Sequence, residues 1–362
     1  GMGGDGVLSV DPPTLERILT SGITWAVEAG YATPADQEHC EDGGSHPAAD
    51  ATAVSAAAKD RGGSQMGSLG SGNHFLEVQV VDEVFDEAVA QRFGLDADQV
   101  VVMIHCGSRG LGHQVCQDYL DAIATAPDAV ADGNLAAVPA ASPIGRSYHA
   151  AMAAAVNYAW VNRQLLTYQV RRVFARVFDQ PWQRLGMELV YDVAHNIAKV
   201  EEHTVRVDGA GMRLVPADDT TAPTPLMVHR KGATRAFPAG HPALPEPYRA
   251  VGQPVLLPGS MGTASYVLVG GPASMHLSFG STAHGAGRRM SRTAARERFD
   301  GAALRSRLQA EQGVHIAATT DATVAEEAPA VYKDVDAVVA ASDAVGIATA
   351  VARMRPVCNV KG

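Results

Sequence analysis

The stretch Val100-Val101-Val102-Met103-Ile104-His105-Cys106-Gly107-Ser108-Arg109-Gly110 runs five apolar residues into a histidine and then into a small, polar turn. A continuous apolar run rich in β-branched residues predicts a buried strand over 100–104. That strand delivers His105 at its carboxyl end, where sheet proteins commonly place ligands. Three further histidines have glycine, serine or amide neighbours of the same kind. They are His74 in Gly72-Asn73-His74-Phe75-Leu76-Glu77, His195 in Asp192-Val193-Ala194-His195-Asn196, and His284 in His284-Gly285-Ala286-Gly287-Arg288. A packing histidine has no need of such surroundings. A histidine that binds metal or attacks phosphorus does, because small residues admit a ligand and polar partners fix the imidazole tautomer.

Outward from this stretch, 75–81 alternates as a strand and 84–93 reads as a helix. Upstream, a helix is expected over 12–29. Asp11 serves as its N-cap, Pro12 suits its first turn, Gly30 suits its C′ position, and Leu15, Ile18, Leu19, Ile23 and Val27 form its apolar stripe. The polar residues 34–64 read as an irregular covering segment. Downstream, a long helix is expected over 158–178 and a second buried strand over 187–193, ending just before His195. Residues 204–225 are polar and proline-dotted, as in a hairpin tip or surface insertion. Short strands at 255–257 and 266–269 flank the turn Pro258-Gly259-Ser260-Met261-Gly262, and helices are expected at 334–341 and 345–354. No repeat or linker stands out. The four histidine motifs span positions 74 to 284, so they converge only if most of the chain folds together. The expectation is one large α+β domain over 1–362, with mixed and antiparallel sheets packed by helices.

Composition excludes several classes. No apolar stretch of the 362 residues is long enough to cross a bilayer, and no basic-then-apolar leader opens the sequence. Cys40, Cys106, Cys116 and Cys358 have neither CxxC pairing nor disulfide-framework spacing, which points to a reducing, cytoplasmic setting. A formal charge of −10 argues against a surface coated in nonspecific nucleic-acid contacts. It leaves room for a local basic site, and Arg288, Arg289, Arg292, Arg296 and Arg298 follow directly on the His284 loop. A solvated helix face is the plain explanation of such a run. Gly1 to Gly6 form a glycine loop with no capped element before it, as in an interior piece of a longer chain.

A satisfied, partly buried imidazole accounts for any one of these histidines. Four in similar settings point instead to a metal centre. Imidazole suits Zn, Mn, Fe, Ni and Cu alike, while Asn73 and Glu77 beside His74 add oxygen donors and shift the expectation toward a harder ion such as Mn²⁺. The His284 loop, from Gly280 to Arg288, offers backbone N–H groups and hydroxyls suited to phosphate oxygens, and its arginines can neutralise a phosphoryl transition state. Imidazole is itself a nucleophile toward phosphorus. A turn that merely needs positive φ angles is the plain alternative for the glycines. The loop lacks the GxxxxGK[ST] pattern, which argues against a P-loop NTPase. His229-Arg230-Lys231-Gly232-Ala233-Thr234-Arg235 concentrates charge, and the final Lys361 would ordinarily be solvated and idle.

Taken together these segments resemble the RtcB family of RNA ligases. The matching runs are Gly67-Ser68-Leu69-Gly70-Ser71-Gly72-Asn73-His74-Phe75-Leu76-Glu77, 105–112, 191–199, 229–237, 253–266, 279–292, 332–336 and the Val360-Lys361-Gly362 ending. They are collinear and cover essentially the whole chain. The resemblance implies a GTP- and Mn²⁺-dependent ligase of tRNA splicing and RNA repair, with two metal ions in the intact enzyme. It would join RNA ends bearing a 2′,3′-cyclic phosphate or 3′-phosphate to 5′-hydroxyl ends. By the same likeness His284 is the nucleophile that becomes a histidine–GMP, and His74, His105 and His195 are metal ligands. Asn73, Glu77, Asn196, Ser260, Ala286, Gly287, Arg288, Tyr332 and Lys361 are GTP-contacting positions, with Glu77 near the guanine and Lys361 at a purine edge. Arg288 and Arg292 are phosphate or RNA contacts. The GMP would pass to the RNA 3′-phosphate and then be displaced by the 5′-hydroxyl. RNA is the implied partner, an archease-type activator is one the family admits, and a membrane is not.

One departure stands against this likeness. The family carries an Asp-x-Gly-Cys-Gly-Met segment ahead of these motifs, with metal ligands in it, and Gly1 to Gly6 look like sequence lying just after it. The expectation is an N-terminally truncated ligase that binds metal weakly and guanylylates poorly. Cys106, beside His105, is not taken for the missing thiolate. Two other classes share the motifs: a metal-dependent phosphodiesterase or phosphatase using the histidines to activate water, and a noncatalytic RNA-binding relative.

Overall fold

The computed structural model describes residue 6 and residues 8–127, 129–132, 135–208, 211–216 and 221–362. The opening glycine loop expected at Gly1 to Gly6 lies almost entirely outside the described residues. The chain is α+β and divides into two compact units, each assembled from separate stretches.

The first unit comprises Gly1–His74, Ile104–Asp192 and Gly362. It is helical, and its spine is a helix of 36 residues, Pro143–Phe178, started by Ser142, whose hydroxyl accepts from the Gly145 N–H. Sequence reading recovered only the second half of this helix, because its first turns are alanine-rich and carry no clear apolar stripe. Those alanines are what the core needs. Ala151, Ala154 and Ala155 bring the helix close to Leu15, Ile18, Leu19 and Trp25, while Tyr158, Val161 and Leu165 fill the space below.

The helix expected over 12–29 is two helices, Pro12–Ser21 and Ile23–Glu28. Asp11 caps the first as expected, accepting from Thr14 N–H at 2.8 Å. The break falls at Gly22, whose φ of +55° suits glycine alone, and a Cβ there would lie 2.2 Å from the Gly44 carbonyl oxygen. Residues 34–64 are more ordered than their composition suggests. Thr33 and Asp36 form a capping box, and Arg171 on the long helix grips both Asp36 oxygens at 2.7 Å. Residues 187–193 are not a strand. They run extended with one isolated bridge, Asp192 to Cys40, because no neighbouring strand offers a continuous ladder.

The second unit comprises Phe75–Met103 and Val193–Lys361. Its centre is a six-stranded sheet built around the 14-residue C-terminal strand, Ala348–Lys361. The N-terminal half of that strand pairs with Ser265–Gly270, and Phe75–Val84 takes the opposite edge. His315–Ala318 runs parallel to its last residues, with Ala318 opposite Lys361. Pro254–Leu257 and Val100–His105 complete the two ends of the order. Thus 345–354 is no helix. Ala348, Val351 and Ala352 fit a helical spacing as well as a strand, and long-range pairing decides the matter. Pro356 sits at a register shift opposite Gln79, where a missing N–H is tolerated. The run 100–104 is an edge strand with only Met103 buried, and Val100 is 56% exposed.

Smaller pairs complete this unit: Asn196–His203 with Thr224–Lys231, Ser281–Ala283 with Ala233–Arg235, and Val205–Asp208 with Gly211–Leu214. The last pair falls inside the insertion expected at 204–225, of which residues 209–210 and 217–220 lie outside the described residues.

Candidate active site

Each of the four histidines stands at a strand end. His105 closes Val100–His105, His74 precedes Phe75–Val84, His195 precedes Asn196–His203, and His284 follows Ser281–Ala283. The backbone there is leaving its ladder, so its N–H and C=O groups are turned to side chains and loops.

In the first unit the His74 and His105 rings lie with centroids 6.0 Å apart, nearly perpendicular. His105 Nδ1 is 2.9 Å from the Asn73 carbonyl oxygen. A carbonyl only accepts, so Nδ1 carries the proton and Nε2 the lone pair. His74 is held the other way, because Arg109 Nη1 donates to its Nδ1 at 3.2 Å. Arg109 has φ +53° and also donates to Ser68 Oγ at 3.0 Å. Gly70 makes this approach possible: a Cβ there would sit 1.9 Å from Arg109 Nη1. Asn162, buried on the long helix, accepts from the N–H groups of Gly67 and Ser68 and donates to the carbonyls of Ser68 and Gly107. One amide thereby staples the glycine loop to the turn after His105. The Cys106 thiol lies 2.8 Å from the Leu69 carbonyl oxygen, and burial raises its pKa, so it is a protonated donor here.

In the second unit His195 and His284 stack in parallel, with 5° between planes and 4.0 Å between centroids. The Lys231-Gly232 turn supports both. Gly232 N–H donates to the His195 carbonyl at 3.1 Å, and with φ +70° it presents no side chain to His284 Cδ2. Burial, followed by the Lys231 charge, lowers the His284 pKa below the ordinary histidine value, which keeps the imidazole neutral near pH 7. Asn196 is exposed at the start of its strand.

The same unit gathers most of the other expected positions into two buried polar knots. In one, Glu77 is 2% exposed. Its Oε1 accepts from Asn359 and its Oε2 from Gln79, each at 2.5 Å. Gln79 also donates to Ser265 Oγ, which accepts the Gly259 N–H and so ties in the turn bearing Ser260. Burial pushes the Glu77 pKa up to about 7, against the pull of these donors and of Lys361. In the other knot the buried Glu327 accepts from Arg288 at 2.9 Å and from the Tyr332 hydroxyl, and lies 3.8 Å from Lys361 Nζ. Lys361 is no idle terminus: it is 5% exposed, and its ammonium lies 5.7 Å from the centre of the Phe75 ring. Ala286 is buried, Gly287 has φ +76°, and Arg292 is half exposed beside Glu326 and Glu327.

The tRNA-splicing ligase RtcB model matches residues 1–362. The chain belongs to this family. A tRNA-splicing ligase RtcB of Thermococcus kodakarensis is 51% identical over 366 aligned residues, which cover all of this chain and 73% of that relative. One of Archaeoglobus fulgidus is 50% identical with the same coverage, and one of Pyrococcus furiosus is 51% identical with 36% of its length covered. The chain thus spans about three quarters of some RtcB relatives and little more than a third of others.

An imidazole nitrogen is a borderline donor that suits several divalent metals, so each of these rings has the donor type a metal would need. The His105 tautomer suits it best, whereas the Nδ1 lone pair of His74 is engaged by Arg109. Sequence reading passed over Asn162, Gln79, Asn359 and Glu327. Asn162 had a visible signal, a polar residue among the inward positions of an otherwise apolar helix face, whereas Gln79 and Asn359 lie on strand faces that also carry Glu77 and Lys361. Glu327 had none, since it lies in a turn.

Proposed function

We propose that this RtcB-family chain is an RNA ligase that joins 2′,3′-cyclic phosphate or 3′-phosphate ends to 5′-hydroxyl ends, using GTP and Mn²⁺ through a covalent GMP on His284. The observation that carries this reading is the stacking of a neutral, half-buried His284 on His195 at the edge of a glycine loop. An imidazole with a fixed plane and an unprotonated nitrogen is preorganised for attack on the α-phosphorus.

Under this reading His74, His105 and His195 hold manganese, which when bound supplies positive charge to the triphosphate oxygens. Asn73 orients His105 through its carbonyl, whereas Arg109 would have to release the Nδ1 lone pair of His74 before that ring could ligate. Arg288 and Arg292 balance phosphate charge, and the turn at Ala286-Gly287 lets backbone approach the ligand closely. Glu77 and Lys361 form the base-recognising end, where a buried acid and a buried ammonium match donors and acceptors on a guanine edge. Asn196, Ser260 and Tyr332 complete the contacts. The RNA is one with a 3′-phosphate or cyclic-phosphate end and a 5′-hydroxyl end, the setting is the cytoplasm, and the family admits an archease-type activator. All four cysteines are free thiols, as a reducing compartment would leave them. No described helix is long and apolar enough to cross a membrane.

Incubation with α-labelled GTP and Mn²⁺ tests the proposal. The expected result is an acid-labile label mapped to His284 and absent from His284→Ala. A hydrolase acting through activated water would cleave phosphodiesters and leave the protein unlabelled, which would overturn the ligase reading.

A further inference from the structure

Glu327 is 1% exposed and joins side chains from separate segments of the second unit. Its Oε1 accepts from Arg288 Nη1 at 2.9 Å and lies 3.6 Å from Arg292 Nε. Its Oε2 accepts from the Tyr332 hydroxyl and lies 3.8 Å from Lys361 Nζ. Arg288 leaves the His284 loop, Tyr332 follows a short 3-10 turn, and Lys361 ends the central strand of the sheet. An antiparallel bridge between Arg288 and Tyr332 turns both side chains to this carboxylate. Burying a carboxylate is costly unless charges and donors surround it, and here they do.

The arrangement has a consequence for Lys361. Burial disfavours its ammonium, and Arg288 and Arg292 repel it, so only Glu327 and Glu77 oppose them. The same Glu327 carboxylate holds Arg288 on Oε1 and Lys361 near Oε2, and so offsets the repulsion between two cations it keeps close together. Resting on the ligase reading above, we propose that Glu327 is a positioning residue: it holds Lys361 at the base side and Arg288 at the phosphate side of one nucleotide pocket, so that guanine selectivity depends on a carboxylate that touches no substrate.

Glu327→Gln keeps the size and the acceptor for Tyr332 but removes the charge. Labelling of His284 is measured with GTP and with ATP for the wild type, Glu327→Gln, Glu327→Asp and Lys361→Ala, alongside thermal unfolding midpoints. In Glu327→Gln the GTP-over-ATP ratio of kcat/KM is expected to fall about tenfold, mainly through KM for GTP, as for the loss of one charge-assisted contact. Glu327→Asp keeps the charge on a shorter arm and is expected to restore part of that ratio. Adding Glu327→Gln to Lys361→Ala should lower the ratio no further. A purely structural carboxylate would lower stability and both nucleotide activities together. An unchanged ratio in a folded Glu327→Gln protein therefore overturns the proposal and leaves the ligase reading standing. Should that variant melt below the assay temperature, Glu327→Asp decides: a wild-type ratio overturns the role and a lowered ratio supports it. A wild type that takes no label overturns the ligase reading and this proposal with it.

Discussion

His284 lies parallel to His195, with 5° between ring planes and 4.0 Å between centroids. Two protonated imidazoles would repel at that distance, so the stack is stable only when at least one ring is neutral. His195 precedes its strand and His284 follows its own, and Gly232 N–H holds the His195 carbonyl while its missing side chain leaves room beside His284. The pair therefore separates two properties that mutation can test one at a time: the stacking surface and the ring nitrogens.

His195→Phe keeps the surface and removes the nitrogens. If His195 is a metal ligand, Mn²⁺ affinity measured by electron paramagnetic resonance titration falls by about tenfold or more. Wild-type affinity in this variant would remove His195 from the ligand set.

Glu77 makes stability depend on pH in an unusual direction. Its folded pKa of about 7 lies above the ordinary carboxyl value of 4.5, so the native state binds the proton more tightly than the unfolded chain. The stabilisation is present below pH 4.5 and is lost as pH rises toward 7, amounting to on the order of 3 kcal/mol. Urea unfolding at pH 5 and pH 8 should show wild type losing stability relative to Glu77→Gln. A gap between the two proteins that does not change with pH contradicts the assignment.

The Asp36–Arg171 pair anchors the 34–64 segment, with both side chains 5% exposed or less. Arg171→Met leaves a buried carboxylate without its partner and should cost roughly 3 to 5 kcal/mol. Denaturant midpoints report this directly. A loss below about 1 kcal/mol would mean that water replaces the guanidinium.

Gly22→Ala introduces a Cβ at φ +55°, 2.2 Å from the Gly44 carbonyl oxygen. A penalty of about 2 kcal/mol or more is expected from strain and clash together. An unchanged melting temperature would show that the two short helices can fuse into the single helix their sequence suggests.

Legibility followed physical locality. Asp11 and Gly30 were readable because caps and C′ glycines act within one turn of their helix. Val100 to Ile104 misled because an apolar run looks the same in a central strand and at a sheet edge, and only the partner list distinguishes them. Residues 345–354 misled because alanine and valine at helical spacing also suit a strand flanked on both sides. Met187 to Val193 misled because an apolar run needs a neighbour with open hydrogen bonds, and here only Cys40 answers.

What the sequence determined by itself was the chemical inventory: four histidines among small and polar neighbours, a glycine-rich loop followed by arginines, and a family signature running from end to end. Those are properties of residue type and short spacing, and they survive without coordinates. The tertiary structure decided which charges meet. Glu327 reaches Arg288, Tyr332 and Lys361, and Glu77 reaches Asn359, only because the C-terminal strand lies in the middle of the sheet. Such pairings depend on register across hundreds of residues, and their strength depends on burial, neither of which a linear string carries.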